Sequence, residues 1–290
     1  MDKEKLISSI EEIDYFFERL SRDLAPGLHK SSVEGSGFRV KGYDTIFNRS
    51  DFDQVDWNTT FASGSRIPLV KIVEQKSAIT VMAIVDGSAS MGFCGKVKRM
   101  DEVAKLAASI GYSAYKAGDK FGLILYDDDI VHYFEPETSR SYALEIGEYL
   151  CEFAPRKGKC ADISRTIDFI PPKPSLIFWL GDFHEPEDKI FDFLSNVAFI
   201  HDVVPVIFWD SAEFERLPDW GFVYFYDPET NKLRPDIITP KRKERMRKML
   251  FKRRNILKRT FTGFEIDPLF VMDNFKSYEV AKFFLERRNI

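Results

Sequence analysis

The sequence has few cysteines and no long apolar run, and each lack excludes a class of protein. Its 290 residues include only three cysteines, an odd number without C-x-x-C spacing. This argues against a disulfide framework or a zinc site and favours a reducing compartment. No stretch approaches the roughly 18 uninterrupted apolar residues of a membrane span. The first residues also lack the basic-then-apolar pattern of a signal peptide. We therefore expect a cytoplasmic protein without a membrane span.

A large excess of charge of one sign is also missing. The formal net charge is −4, which does not favour a nucleic-acid-binding protein as a whole. Hydrophobic residues make up 44% of the chain and 27 residues are Phe, so a sizeable core can form and extensive disorder is excluded. The length fits one large domain, or one domain with a small appendage.

From residue 78 onward, short apolar runs alternate with amphipathic segments. This alternation is typical of βαβ units, so we predict an α/β fold with a doubly wound, mostly parallel sheet in a three-layer, Rossmann-like arrangement. The predicted strands are 78–86, 121–126, 131–134 (an edge strand), 176–182, 203–209 and 266–272. The predicted helices are about 100–117, 139–152, 187–198 and 276–288, with a shorter one beginning near Asp162.

The rest of the chain is divided as follows. Residues 1–26 contain a predicted helix (about 4–24) whose apolar seam docks on the chain's own body or, as the alternative, forms a coiled coil. Residues 27–76 are rich in Gly, Ser, Asp and Asn and predict loops and a few strands packed beside the main domain, residues 77–290. Two insertions interrupt that domain: a hairpin near 221–234 and a basic helix near 240–260.

The basic stretch from Lys241 to Arg259 has two interpretations. It contains eleven Lys or Arg residues and one Glu. It could bind nucleic acid or an acidic protein surface, or it could be a long helix with a solvated charged side. The chain is acidic elsewhere and no aromatic residues alternate with the basic ones as stacking platforms, so nucleic acid is not favoured.

Oxygen-bearing side chains follow two of the predicted buried strands. Asp86 ends the strand 78–86, and Ser88 and Ser90 follow it at positions i+2 and i+4. Asp182 follows the apolar run that begins at Leu176. Because ligands bind beyond the carboxyl ends of parallel strands where the strand order reverses, both carboxylates should meet in one crevice. Hard oxygen ligands suit Mg²⁺ or Mn²⁺.

A plainer interpretation of both aspartates stays open. Asp is a favoured N-cap residue, so Asp86 and Asp182 could each cap the helix that follows its strand.

These residues resemble two nested families. Asp86-x-Ser88-x-Ser90 together with Asp182 resembles the metal-ion-dependent adhesion site (MIDAS) of von Willebrand factor type A domains. The segment before it resembles the bacterial Domain of Unknown Function 58 (DUF58) family. Matching pieces are Gly27–Ser31, Gly35–Phe38, the Asp-Trp element within Ser50–Trp57 and the hairpin residues Tyr226–Thr230, so the resemblance covers about residues 27–290.

The resemblance implies a fold, a metal site and partners. It implies a von Willebrand factor type A-like fold with Mg²⁺ or Mn²⁺ bound by Asp86, Ser88, Ser90 and Asp182. The ion would dock an acidic residue of another protein. The family resemblance further implies a MoxR-type AAA+ ATPase as partner, with the protein acting as a non-enzymatic adaptor in assembly or remodelling.

The chain departs from the family pattern at two places. Ala161 stands where type A domains supply a threonine ligand, although Asp162 beside it remains as a further candidate ligand. Thr59, Thr60 and Phe61 follow the Asp-Trp pair, where the family has an arginine. The first change weakens the site or holds it in one coordination state.

Two alternative functions remain. A scaffold with a degenerate metal site would agree with Ala161. A metal-dependent phosphoesterase would use the ion to activate water. Phosphatases with an aspartate nucleophile usually carry a second aspartate two residues later, and this chain has Ser88 at that position. The four histidines are scattered and lie in no nucleophile or base pattern, so structural or surface roles are favoured for them.

Overall fold

The computed structural model describes residues 37–48, 55–76, 78–276, 279–280 and 282–283. These residues fall into two compact units, one ending at Ile79 and one beginning at Thr80. The predicted helix at 4–24, the family-like pieces at 27–36 and 50–54, and most of the predicted helix at 276–288 lie outside the described residues.

The unit before Thr80 is a small hairpin with one short helix. Strand β1 (Gly37–Thr45) pairs antiparallel with β2 (Leu69–Lys76), and helix α1 (Trp57–Ala62) lies between them in the chain. Asp56 is the N-cap of α1 and accepts a hydrogen bond from the Thr59 N–H at 3.1 Å. The same carboxylate is 3.2 Å from Lys71 Nζ in β2. The aspartate of the Asp-Trp element therefore joins the helix to the hairpin.

The unit from Thr80 onward is built on a six-stranded sheet. The strands are β3 (Thr80–Asp86), β4 (Lys120–Tyr126), β5 (Ile130–Glu137), β6 (Ser175–Gly181), β7 (Asp202–Trp209) and, later in the chain, β10 (Leu269–Met272). Their order is β10-β7-β6-β3-β4-β5, with only the edge strand β5 antiparallel to its neighbour. This order confirms the predicted doubly wound, type A-like α/β fold. The last strand begins at Leu269 rather than at residue 266, directly after Pro268.

Helices and a second hairpin connect these strands. The α-helices are α2 (Arg99–Ala117), α3 (Arg140–Glu152), α4 (Glu187–Val197), α5 (Ala212–Glu215) and α6 (Pro240–Thr262). Short 3₁₀ helices span Ala89–Gly92 and Ile163–Phe169. Strands β8 (Gly221–Asp227) and β9 (Lys232–Ile238) form the predicted hairpin, and the basic helix α6 follows it.

The central strands β3, β6 and β7 are almost wholly buried, and the sheet is covered on both faces there. Met82 and Ile84 of β3 pack in one cluster with Trp179, Phe193 of α4 and Phe261 of α6. The intervening β3 residues point to the opposite face, where α2 and α3 pack together. Among the helices that the structure describes, none combines the length and apolar character that a membrane crossing requires.

The order of the strands reverses between β3 and β6. The chain passes from β3 to its neighbour β4 on one side, and from β6 to β7 on the other side. A crevice opens at such a switch point beyond the carboxyl ends of the two strands. The fold therefore places the residues that follow β3 and β6 at the edge where doubly wound sheets bind ligands.

Gly111 in α2 allows a close helix approach that can be tested. A Cβ atom at this position would lie 2.5 Å from the Phe121 ring and 2.9 Å from Ala143 Cβ. We expect Gly111→Ala to destabilise the protein by about 1–3 kcal/mol through overpacking, although alanine is the better helix former. Thermal unfolding measures this. Lys116→Ala, at an exposed position of the same helix, is the control and should leave the melting temperature nearly unchanged. A more stable Gly111→Ala variant would contradict the close packing.

Candidate metal centre

Asp86 and Asp182 lie side by side at the switch point. Asp86 is the last residue of β3, and Asp182 directly follows β6, its hydrogen-bonded neighbour. Both side chains are buried, with 2% and 1% of their residue surface exposed. A Cβ atom on Gly181 would lie 3.0 Å from Asp86 Cβ, so a glycine is needed where the two strand ends meet. Two strands therefore deliver one carboxylate each to the same edge, as predicted from sequence.

Ser88 and Ser90 lie in the turn that follows Asp86. The Gly87 N–H donates to the Tyr126 carbonyl at 2.7 Å, which ties the start of this turn to β4. The Ser88 N–H donates to Asp86 Oδ1 at 2.8 Å, and the two serine hydroxyl oxygens are 3.1 Å apart. The 3₁₀ helix Ala89–Gly92 then holds the turn in one shape. Both hydroxyls thus lie beside the two carboxylates.

An arginine and a histidine that sequence reasoning missed approach Asp182. Arg99, buried at the start of α2, places Nη1 2.9 Å from Asp182 Oδ2 and also pairs with Glu213. His184, which is half-exposed, has Nδ1 3.1 Å from the same oxygen. The contact of His184 with Asp182 could have been inferred from sequence only because the two residues lie two positions apart. No local pattern could have indicated Arg99, because it lies 83 residues from Asp182 in the chain.

The two aspartates differ in acidity because their neighbours differ. Burial, and then the adjacent Asp182, raise the pKa of Asp86 to about 7. Burial alone would raise the pKa of Asp182 too, but His184, Arg99 and a hydrogen bond from Ser90 hold that pKa below its ordinary value. The site therefore carries one ionised carboxylate beside one that titrates near neutral pH.

The side chains at this site offer the type of ligand atom that a hard cation prefers. Two carboxylates and two hydroxyls supply oxygen atoms of the type that Mg²⁺ and Mn²⁺ prefer. Within the described residues, Asp86 receives hydrogen bonds from Ser88 alone, which leaves acceptor capacity on a buried carboxylate. No three His, Cys, Asp or Glu side chains of the described residues form a ready-made metal centre. An ion here would therefore depend on the hydroxyls and on water.

Asp162 has other partners. Its carboxylate lies 3.2 Å from Lys189 Nζ and 3.6 Å from Arg165 Nε, and it accepts a hydrogen bond from Ser164 at 2.9 Å. Burial opposes ionisation, but Ser164 and Lys189 hold the pKa of Asp162 below its ordinary value. Its described contacts do not join it to Asp86 or Asp182, although the sequence predicted it as a further ligand.

Ala161, at the position of the expected threonine, is buried in the apolar cluster under the sheet. The same cluster contains Trp179 and Phe183. A methyl group suits this environment, whereas a hydroxyl would need a partner. The environment of Ala161 therefore agrees with its apolar side chain.

A third buried acid lies close to the pair. Glu185 accepts a hydrogen bond from the Tyr126 hydroxyl at 3.1 Å, and Tyr126 in turn accepts one from Trp179 at 3.0 Å. Burial, and then Asp86, raise the pKa of Glu185 to about 8. Its Oε2 has no hydrogen-bond partner within the described ranges. The acidic character of this edge thus extends beyond the two predicted residues.

Every parallel strand of the sheet ends in an aspartate, and the other three are used differently. Asp210 accepts the Lys96 and Ala212 N–H groups at 2.8 Å each. Asp273 accepts the Ser211 N–H at 2.6 Å, and Asp127 accepts an N–H and pairs with Arg156. Asp210 and Asp273 thus accept N–H groups from another segment and Asp127 pairs with an arginine, whereas the described hydrogen bonds to Asp86 come only from Ser88 of its own turn.

The raised pKa of Asp86 leads to a testable pH dependence. Between about pH 4 and 7 the unfolded chain has lost this proton and the folded chain retains it, so the free energy of unfolding falls as pH rises. Asparagine carries no such proton. We expect Asp86→Asn to raise the melting temperature by several degrees at pH 8 in EDTA, and to have little effect near pH 4.

Asp210→Asn is the matched control, because it replaces an equally buried aspartate at the same sheet edge. An amide has one acceptor oxygen in place of two, so this variant should be less stable than the wild type at pH 8. Destabilisation by Asp86→Asn at pH 8 would show that the carboxylate is stabilised by contacts other than those described.

Comparison with known proteins places this geometry in context. The sequence matches the family described as "Protein of unknown function DUF58" over residues 49–256, more than two thirds of the chain. No curated protein matches it.

Several solved structures are similar to the chain. BatB from Bacteroides thetaiotaomicron, a conserved hypothetical protein, is 12% identical with a TM-score of 0.47, over 73% of this chain and 100% of that one. An aerotolerance-related membrane protein from Bacteroides fragilis is 15% identical with a TM-score of 0.44, over 73% and 99%. A von Willebrand factor type A protein from Catenulispora acidiphila is 13% identical with a TM-score of 0.34, over 49% and 35%.

At these low TM-scores the fold assignment rests on the strand order of this chain itself. The family match is of a different kind, because it covers most of the sequence, including both strands that carry the paired aspartates. The chain belongs to the DUF58 family of proteins of unknown function.

Proposed function

We propose that the protein is a non-enzymatic interaction module that docks a carboxylate of another protein through a bound Mg²⁺ or Mn²⁺. Asp86, Ser88, Ser90 and Asp182 would hold the ion. The observation that carries this proposal is the pair of buried carboxylates at the switch point, with two hydroxyls beside them. The type A-like fold and the DUF58 family are consistent with an interaction module.

The small number of acidic ligands explains why such an ion would attract a partner. Mg²⁺ favours six oxygen ligands and retains several waters when the protein supplies few. Only Asp86 and Asp182 are acidic within the proposed set, and Ser88 and Ser90 are neutral. The two carboxylates balance the formal charge of the ion without filling its six positions, so an incoming Asp or Glu could replace one of its waters. Arg99 adds a further positive charge beside Asp182.

As the partner we propose a MoxR-type AAA+ ATPase, for which the protein acts as adaptor in assembly or remodelling. The support is the family resemblance together with the chemistry of the site, which would recognise an acidic protein ligand. Docking of this kind needs no bond cleavage by the module itself.

A second candidate, a scaffold without metal, is favoured by one observation. The Arg99 guanidinium lies 2.9 Å from Asp182 Oδ2 and is itself buried, so the chain already supplies a cation to one carboxylate. The presence of Ala161 where type A domains have a threonine ligand also favours a scaffold without metal. In this alternative the carboxylates are structural and partner binding ignores divalent ions.

The metal hypothesis predicts a specific thermal shift. At an ion concentration about 100 times Kd, Mg²⁺ or Mn²⁺ should stabilise the wild type by about 2.7 kcal/mol, which raises the melting temperature by several degrees. Asp86→Asn should lose this response. Asp162→Ala is the matched control, because Asp162 is paired with Lys189 and Arg165, and it should keep the response. An equal response in Asp86→Asn and the wild type would reject the site.

Arg99→Gln separates the two candidates. It leaves Asp182 buried without its arginine, which should cost about 3–5 kcal/mol in the absence of divalent ions. If the site binds Mg²⁺, adding the ion should restore part of the lost melting temperature. If the protein is a metal-free scaffold, Mg²⁺ should restore nothing.

Partner binding and catalysis are tested with the same Asp86 variant. A MoxR-type ATPase should bind the wild type in Mg²⁺ but not in EDTA, and should not bind Asp86→Asn. Capture that ignores EDTA would favour the scaffold. Metal-dependent turnover of p-nitrophenyl phosphate, lost in Asp86→Asn, would instead identify a phosphoesterase and refute the non-enzymatic proposal.

A further inference from the structure

The hairpin β8–β9 exposes one apolar face. Three cross-strand pairs lie on it, and directly opposite residues of a ladder share a face. We call these six residues the aromatic face: Phe222 with Ile237, Tyr224 with Pro235, and Tyr226 with Leu233. Phe222 and Tyr224 are 76% and 72% exposed, whereas the intervening residues of β8 are only partly exposed. All six are apolar or aromatic, and they form one continuous patch.

Such a patch calls for an explanation. Single exposed hydrophobic residues are common on protein surfaces, but contiguous apolar patches mark interaction sites. An isolated two-stranded hairpin is also only marginally stable by itself. A partner that covers the aromatic face would bury it and stabilise the hairpin.

The hairpin turn connects the aromatic face to the candidate metal centre. The Gly158 N–H donates to the Pro228 carbonyl at 2.8 Å, and Lys157 Nζ lies 5.6 Å from the centre of the Tyr226 ring. The Lys159 carbonyl accepts a hydrogen bond from the Ala89 N–H at 2.9 Å. Residues 157–159 therefore contact the hairpin on one side and the Ser88–Ser90 turn on the other.

The turn at the tip of the hairpin has a defined shape. Asp227 accepts hydrogen bonds from the Glu229 N–H at 3.0 Å and from the Thr230 hydroxyl at 2.7 Å. Glu229, which these contacts hold in place, is half-buried, and burial followed by Asp182 raises its pKa. The connection between the tip and the Ser88–Ser90 turn is the backbone of residues 158 and 159, which bonds to Pro228 on one side and to Ala89 on the other.

A positive charge next to the aromatic face favours an acidic occupant, because Lys157 Nζ lies beside the Tyr226 ring. Helix α6 follows β9 directly, and Arg242 near its start pairs with Asp236, whose cross-strand partner is Val223, so this contact lies on the opposite face of the hairpin. Eleven Lys or Arg residues lie between Lys241 and Arg259.

We propose that the aromatic face is the second half of the docking surface, and that its occupant is an acidic, extended segment of a partner protein. The segment places a carboxylate at the Asp86–Asp182 site and apolar side chains at alternate positions against the aromatic face. Alternate residues of an extended chain repeat every 6–7 Å or so, as do the cross-strand pairs of the hairpin. The carboxylate half of this inference rests on the proposed function, whereas the apolar half rests on the hairpin.

Two fluorescent peptides test the inference on the full chain. Both carry the same acidic beginning, followed by alternating Leu and Thr in one and by Ser and Thr in the other. Fluorescence anisotropy in Mg²⁺ should show about tenfold tighter binding of the leucine peptide to the wild type. Phe222→Ser/Tyr224→Ser should reduce its affinity to that of the serine peptide. Phe199→Ser is the matched control at a residue 87% exposed outside the hairpin, and should change nothing.

The outcomes separate the inference from the proposed function. Equal binding of both peptides, or an unchanged affinity in Phe222→Ser/Tyr224→Ser, would overturn the inference. If EDTA leaves both affinities unchanged while the double variant still weakens the leucine peptide, the metal site fails and the aromatic face is supported.

Two other occupants of the aromatic face are distinguished by further measurements. A wild-type dimer in sedimentation velocity that the double variant dissociates would assign the face to a second copy. Tighter leucine-peptide binding after Phe17→Ser would assign it to the chain's own residues 1–26. Either result would overturn the proposal.

Discussion

Two carboxylates buried side by side at the ends of adjacent parallel strands impose the electrostatic constraint on which this edge of the molecule depends. A buried charge is costly unless it is paired, and two like charges in contact raise the cost further. The chain pairs one of the two carboxylates, Asp182, with Arg99 and His184. Asp86 is left with hydrogen bonds from Ser88 alone among the described residues. It must hold a proton or share a cation from outside the chain.

The same sheet edge shows why an aspartate by itself says little. Asp127, Asp210 and Asp273 also follow parallel strands, and they accept backbone N–H groups from the loops around them. Of these three, Asp210 does what the capping interpretation predicted for Asp86 and Asp182, because it accepts the N–H of Ala212, the first residue of α5. The difference lies in the partners that folding supplies and not in the residue type. A carboxylate whose acceptors are taken up by the backbone stabilises a loop, while one left incomplete is available to a ligand.

This difference also limits what could be predicted from sequence. The strands were predictable because a buried parallel strand needs a continuous apolar run, and the positions of Asp86 and Asp182 followed from where those runs end. The partners were not predictable in the same way. Arg99 reaches Asp182 only after α2 has packed on the sheet, and Lys189 reaches Asp162 from the following α-helix. Ion pairs formed across folded elements leave no periodic signal in the chain.

The hairpin exposes apolar side chains, which are stabilised by burial and not by charge. Charged groups near a surface mainly speed encounter and select partners, and salt screens their effect. Burial of apolar area lengthens the life of a complex once it has formed, since differences in affinity arise mostly in dissociation rates. In the proposed complex the Asp86–Asp182 site and Lys157 would supply the first kind of interaction, and Phe222 and Tyr224 would supply the second. Because residues 157–159 contact both, one extended ligand could use the two together, and neither half would have to bind tightly alone.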